Sequence, residues 1–269
     1  MKKPTVLLVC PHPDDGDIMC GEFSAQAVKA GWNVHELLMT TDEYGTIRND
    51  FKGLRIKAIR KGEMIRASKA YGVDENGHSL MHLHWAHYVD GFAPFNKKSI
   101  ERLQKFIQKI KPDIILGPDP FVHHDAHVDH IATGRNYYYA LKWMIPEERP
   151  KIMLFFQSLM PDFFIPSLNP EIVFKARMSH KSQWSEQKVK IYGNIQQFLY
   201  ISRLIKCTGG RKSEGYRKVT FNLTDHYPRG TAKFVFRLFR NRPIGYTEGH
   251  FIPTPQELSL NLEPQGDIE

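Results

Sequence analysis

The chain has 269 residues, 41% of them hydrophobic and 25% charged, with a formal charge of +8; it can bury a sizeable core, and the composition excludes a disordered chain. No stretch approaches the roughly 18 consecutive apolar residues that a membrane span requires, and Cys10, Cys20 and Cys207 fit neither a metal finger nor a complete disulfide framework, which points to a reducing compartment. At the start, "MKKPTVLLVC" offers too short an apolar run, with a proline inside it, for a signal peptide, so the expected location is cytoplasmic.

Residues 4–10 form the continuous apolar run of a strand buried on both faces. A helix is predicted over 17–30, closed by Gly31, then a strand over 34–41, a helix over 54–71 stopped by Gly72, and a shorter strand over 80–85. Ile100, Leu103, Ile107 and Ile110 fall at helical spacing before the Lys111-Pro112 stop, and "DIILG", 113–117, follows as another buried strand. A helix over 131–144 and a strand over 151–156, "KIMLFF", complete an alternation that predicts an α/β fold: a Rossmann-like, mostly parallel sheet with helices on both faces.

After about residue 160 the alternation fades. Pro161, Pro166 and Pro170 punctuate an irregular stretch, a long helix follows with Ile191, Ile195, Phe198 and Ile205 on one face, and "CTGGRKSEG", 207–215, reads as a loop. The expectation is a single domain over 1–269, in which a C-terminal α+β extension, 161–269, packs on a core of 1–160. Charge is uneven: 175–242 carries 16 Lys+Arg against 3 Asp+Glu, a local +13 that leaves −5 on the rest of a +8 chain. Such a basic third suits an acidic ligand, a solvated face or an oligomer contact, and it leaves a homo-oligomer open.

Ligands of an open parallel sheet bind beyond the carboxyl ends of its strands. "VCPHPDDGD", 9–17, crowds His12, Asp14, Asp15 and Asp17 at the end of the first strand, and "DPFVHHDAHVDH", 119–130, does the same after the 113–117 strand. Catalytic zinc takes three protein ligands from His and carboxylate and keeps one open position. His12 and Asp15, three apart at a helix entry, can close on one ion, and a histidine of the second cluster can complete the set, which leaves Asp14 free to act as a base. The plainer reading of an Asp cluster after a strand is a helix N-cap, and the matching histidines at a second strand end argue against it.

"PHPDD" and "HVDH" together resemble the LmbE-like, or PIG-L, group of zinc-dependent N-deacetylases. "TTDEYGTIRN" (40–49), "ARMSHKSQ" (176–183) and "GYTEGHF" (245–251) are similar to further segments of that group, so the likeness spans roughly 4–252. The resemblance implies Zn2+, with Fe2+ compatible, held by His12, Asp15 and His130; Asp14 as general base; and His127 as acid or electrostatic partner. It further implies Arg48, Asp125 and His180 as substrate-binding residues, with Glu248 a weaker candidate, and a small N-acetylated amino sugar as substrate. Gly16 departs from the usual "HPDDE", Val128 from the proline of "HPDH", and Asp125 stands where some members carry tyrosine.

His123 and His124 read as solvated loop residues near the site; His82, His84 and His87 read as something other than a metal string, with the alternating His82 and His84 on one face of a strand. Competing functions are a metal-dependent phosphoesterase, which needs a fuller ligand set, and a non-catalytic binder of acidic ligands, a nucleic acid or an anionic membrane through the basic third and "KFVFRLFRNR", 233–242. Nucleic acid is not the expected partner. A dinucleotide enzyme is disfavoured, because no G-x-G-x-x-G follows the first strand and its carboxylates would repel a pyrophosphate.

Overall fold

The computed structural model of the chain describes residues 2–46, 48–122, 127–191, 201–230, 232–235 and 268–269. Strand β1 (Thr5–Cys10) is buried along its whole length, as its unbroken apolar run requires. It pairs in parallel with β2 (Asn33–Thr40) on one side and β4 (Ile114–Pro118) on the other. Beyond them lie β3 (Met81–Tyr88) and β5 (Ile152–Phe156), also parallel. Strands β6 (Phe163–Pro166) and β7 (Ser213–Lys218) extend the same sheet, with β7 antiparallel to both of its neighbours, in the order β3-β2-β1-β4-β5-β7-β6.

Because side chains alternate across a strand, the two faces of the sheet build two cores. Val6, Leu8 and Cys10 face α1 (Asp15–Met19), α2 (Gly21–Lys29), α3 (Leu54–Tyr71) and α6 (Pro170–Arg177). Leu7 and Val9 face α4 (Lys97–Ile110) and α5 (Val128–Trp143). The order reverses direction at β1, so a crevice opens between the carboxyl ends of β1 and β4, the place where such sheets bind ligands. Among the described residues no helix is long and apolar enough to cross a membrane.

The elements differ from the sequence expectation at several places, among them the stretch after residue 160 expected to be irregular, which holds β6 and α6. The helix expected over 17–30 begins at Asp15 and breaks at Cys20, where Gly21 lets α2 approach α6: a Cβ there would meet Val173 Cγ1 at 2.7 Å. The loop expected over 207–215 holds the end of a helix, Ile201–Thr208, and the start of β7; only Gly209 and Gly210, both at positive φ, make the turn. Strand β3 runs on to Tyr88. Ile195 and Phe198 of the expected long helix lie outside the described residues, as do 245–251 and most of 233–242.

Gly134 fixes how closely α5 seats against the end of β4. A Cβ there would lie 2.7 Å from the Pro118 carbonyl oxygen and 3.1 Å from Pro120 Cβ, and backbone cannot step aside as a flexible side chain can. Gly134→Ala is therefore expected to destabilise the protein by about 1–3 kcal/mol through overpacking, read as a lower denaturant midpoint; an unchanged midpoint would contradict this packing.

His82 and His84 do decorate one face of β3, where His35 of β2 joins them. The His35 ring stacks on His82 at 4.7 Å, and its Nδ1 lies 3.0 Å from His84 Nε2. Burial and the two neighbouring rings push His35 down to about 4. The unfolded chain takes up this proton near pH 6.5 and the folded chain does not, so the stabilisation is complete above pH 6.5 and is lost as pH falls through 4. Solvent screens a half-exposed ring, so His35→Leu should remove only about 1–2 kcal/mol of the stability lost between pH 7 and pH 4. Paired urea melts of parent and variant at the two pH values measure it; equal losses would contradict the assignment.

Candidate active site

The turn after β1 is closed by its own side chains. His12 N–H donates to Asp15 Oδ2 at 2.9 Å, and Asp15 N–H returns to the His12 carbonyl at 3.3 Å. The Thr40 N–H and hydroxyl at the end of β2 both donate to the Pro11 carbonyl, each at 3.0 Å. His12 and Asp15 are thus tied together across the turn, and Asp14 stands between them as the N-cap of α1. The second cluster enters at the start of α5, where the His127 Nδ1 caps the helix by accepting from Asp129 N–H at 3.3 Å. One turn further on, His130 points back at β1.

The donor atoms converge. His12 Nδ1 lies 3.2 Å from Asp15 Oδ2 and 3.2 Å from His130 Nε2, and His130 Nε2 lies 3.2 Å from Asp15 Oδ2. Metal bonds of about 2.0–2.2 Å in tetrahedral arrangement set ligand atoms about 3.4 Å apart, so this near-equilateral triangle matches three corners of such a site. The outer nitrogens of both rings are engaged in the way metal-binding histidines require. His12 Nε2 faces Asp129 Oδ2 at 3.1 Å and Asp90 Oδ1 at 3.2 Å, and His130 Nδ1 faces Gln157 Oε1 at 3.1 Å. Protons on those outer nitrogens leave both inner lone pairs aimed into the triangle.

Carboxylates dominate the electrostatics of the site. Burial alone would disfavour a charged His12, yet hydrogen bonds to Asp129, Asp15 and Asp90 raise its pKa well above the usual range. Burial likewise opposes ionisation of Asp15, and His130 and His12 outweigh it and hold the carboxyl well below normal. Several carboxylates face few cations here, which is an environment that attracts a divalent ion. Two further groupings, His12 with His127 and His130, and His12 with Asp90, His127 and Asp129, also keep their donors within 4.8 Å of one another. In the latter, Asp129 already accepts from Gly91 N–H at 2.6 Å and Ala93 N–H at 3.0 Å, which suits it better to orienting His12 than to binding an ion.

Asp14 stands apart from the triangle. Its Oδ1 pairs with Arg60 Nη2 at 2.9 Å and its Oδ2 accepts from Trp184 Nε1 at 2.5 Å. Burial pushes its pKa up, and the Arg60 guanidinium overrides this and keeps it below the usual carboxylate value. Arg60 itself is 1% exposed and also touches Asp42 and Glu63. Burial carries Asp42 up to about 7, against the pull of Arg60.

Gly16, where acid was expected by resemblance, lies under a buried carboxyl from β2. A Cβ at Gly16 would sit 2.1 Å from Glu36 Oε1, and burial with the Asp17 charge raises Glu36 well above normal. Glu36 thus occupies the volume that a side chain at position 16 would need. Asp17 does not point into the site; it binds the Tyr71 hydroxyl and His180 Nε2, each at 2.6 Å.

Of the substrate-binding candidates, His180 has no exposed surface, and its Nε2 lies 2.6 Å from Asp17 Oδ2. Arg48 lies exposed, pairing with Asp50 at 2.7 Å and stacking on Phe51 at 4.0 Å. Asp125, His123, His124 and Glu248 lie outside the described residues.

Sequence reading passed over Arg60, Asp42, Asp90, Gln157 and Trp184. A signal existed for one of them. Arg60 and Glu63 interrupt the buried stripe of α3, Ile56, Met64 and Ala67, at helical spacing, and a charge on an apolar stripe marks a buried pair. Gln157 directly follows β5 in left-handed geometry, φ 60°, which no sequence pattern announces and which is common at functional sites.

Comparison with known proteins adds to this geometry. The family described as GlcNAc-PI de-N-acetylase (PIG-L) matches residues 7–141, half of the chain. The diacetylchitobiose deacetylase of Thermococcus kodakarensis is 25% identical over 230 residues, covering 80% of this chain and 82% of that protein. The N,N'-diacetylchitobiose deacetylase structure from Pyrococcus horikoshii superposes with a TM-score of 0.66 at 24% identity, over 80% of this chain and 83% of its own. GalB, the 4-carboxy-2-hydroxymuconate hydratase of Pseudomonas putida KT2440, superposes at 0.64 with 16% identity, over 81% and 97%. One fold thus carries both a deacetylase and a hydratase, so the reaction has to be argued from the site.

Proposed function

From the premise that this chain belongs to the PIG-L family, we propose that it is a metal-dependent amidohydrolase that removes the acetyl group from an N-acetylglucosamine-type sugar or its conjugate. The observation that carries the reading is the triangle of His12 Nδ1, Asp15 Oδ2 and His130 Nε2, each pair 3.2 Å apart, with Asp14 beside it but not in it. Two imidazoles and a carboxylate favour Zn2+, and Fe2+ suits the same donors. A divalent ion held there supplies a bound water of pKa near 7, down from about 15.7 in bulk, and a centre that polarises the acetyl carbonyl.

The chain's own groups do the rest. Asp14, ionised beside Arg60, takes the proton from the attacking water. His127 accepts the helix-cap bond on Nδ1, so its neutral ring carries its proton on Nε2 and can donate a hydrogen bond to the developing oxyanion, while the proton that Asp14 took from the water passes to the departing nitrogen. Amine and acetate leave, and no covalent enzyme intermediate is needed. Arg48 and Asp125 are assigned to the outer oxygens of the substrate. The exposed Arg48–Asp50 pair is worth little, so a ligand can draw Arg48 away at small cost.

Incubation with a panel of N-acetylglucosamine conjugates, neutral and acidic, followed by mass spectrometry and acetate assay, tests the proposal. The expected result is loss of one acetyl group with equimolar acetate. No acetate from any conjugate after loading with Zn2+ or Fe2+ would overturn it, and phosphate release with two ions per chain would carry the phosphoesterase reading instead.

A further inference from the structure

Trp184 follows directly on the "HKSQ" segment and lies outside every motif singled out in the sequence. Its indole N–H donates to Asp14 Oδ2 at 2.5 Å, while Arg60 holds the other oxygen at 2.9 Å. A carboxylate fastened at one oxygen can still turn about its Cβ–Cγ bond; fastened at both, its plane is fixed. A neutral N–H also fixes it without adding a second cation, which would weaken the carboxylate as a proton acceptor.

The donor is itself held by two separate routes. The turn over 180–184 is closed by Gln183 N–H and Trp184 N–H, which both donate to the His180 carbonyl, at 3.0 and 2.9 Å. His180 is anchored to Asp17, three residues beyond Asp14. Ser182 donates its N–H and hydroxyl to the Glu63 carboxylate at 2.9 and 2.6 Å, Glu63 lies 3.7 Å from Arg60, and Arg60 returns to Asp14. The Gln183 side chain reaches the Gly45 carbonyl. Asp14, Arg60, Glu63, Ser182 and Trp184 therefore close a ring of contacts around the base.

Resting on the deacetylase reading above, we infer that Trp184 is a positioning residue: its indole N–H orients Asp14 toward the water beside the His12–Asp15–His130 triangle. Packing alone predicts something else, because the ring of Trp184 also lies against the core.

The test compares Trp184→Phe, which keeps a ring and removes the donor, with Trp184→His, which restores a ring N–H. For each, kcat and KM for acetate release, metal content and the circular-dichroism melt are measured beside the parent. The inference expects Trp184→Phe to lose roughly ten- to a hundredfold in kcat, the scale of a hydrogen bond to a charged group, with KM within about twofold and metal content unchanged. Trp184→His should recover part of the loss even if Trp184→Phe melts early. A Phe variant with parental kcat would overturn the inference while leaving the deacetylase reading intact. A rise in KM at unchanged kcat would overturn it in favour of a substrate contact, and a loss that tracks only the melt in both variants would overturn it in favour of packing. A parent that releases no acetate would remove both readings.

Discussion

Asp14→Asn is expected to lower kcat for acetate release by roughly 10²–10⁴, the usual contribution of a positioned general base, while metal content stays at the parental level. The amide is nearly the same shape as the carboxylate and its oxygen can still accept from one of Arg60 and Trp184; what disappears is the second accepted bond and the ability to take a proton. Metal retention follows because Asp14 contributes no atom to the triangle, which is built from His12 Nδ1, Asp15 Oδ2 and His130 Nε2. Measuring turnover and bound metal on the same preparation separates the two roles. Turnover within a few-fold of the parent would show that another group serves as base; loss of metal together with turnover would move Asp14 into the ligand set.

Asp15→Ala should do the opposite and strike binding first. Even a partner that only orients a metal-binding histidine changes affinity by about 10–100-fold when removed, so loss of a direct ligand should weaken binding by more than that. Gln157→Leu, which removes the acceptor 3.1 Å from His130 Nδ1, should fall within the 10–100-fold range. Because an ion that binds only the folded chain stabilises it by about 2.7 kcal/mol at a hundredfold excess over Kd, added Zn2+ should raise the Tm of the stripped parent, raise that of Gln157→Leu less, and leave that of Asp15→Ala nearly unmoved. Equal Tm shifts in all three would contradict the ligand assignment.

Much of the framework was legible because its signals are local. A short apolar run with β-branched residues, such as Val6–Val9, stopped by Pro11, fits a strand covered on both faces, and four isoleucines and leucines at helical spacing announce α4 directly. Once strands and helices alternate, the carboxyl-end rule places "PHPDD" and "HVDH" on the same edge, and the topology sets them on adjacent strands, β1 and β4, at the point where strand order reverses.

What escaped depends on distance. Asp129 was legible only as part of a motif, whereas its bond to His12 spans 117 residues. Trp184 reaches Asp14 across 170 residues, and no local pattern distinguishes its indole from one that simply packs. Strand β7 was hidden by Gly209, Gly210 and Gly215, whose clustering reads as a loop although only the first two turn the chain. His180 lies within a matching segment that fits a pocket wall or helix packing equally well, and its bond to Asp17, 163 residues away, has no local signature.

The account rests on one ion, held by His12, Asp15 and His130, serving hydrolysis of an N-acetyl group. The most direct measurement is acetate release from an N-acetylglucosamine conjugate by the protein stripped with a chelator and then titrated with Zn2+. The account predicts no release from the stripped protein and a rise that reaches its plateau at one ion per chain. Full activity in the stripped protein, or a plateau that needs two ions, would contradict it.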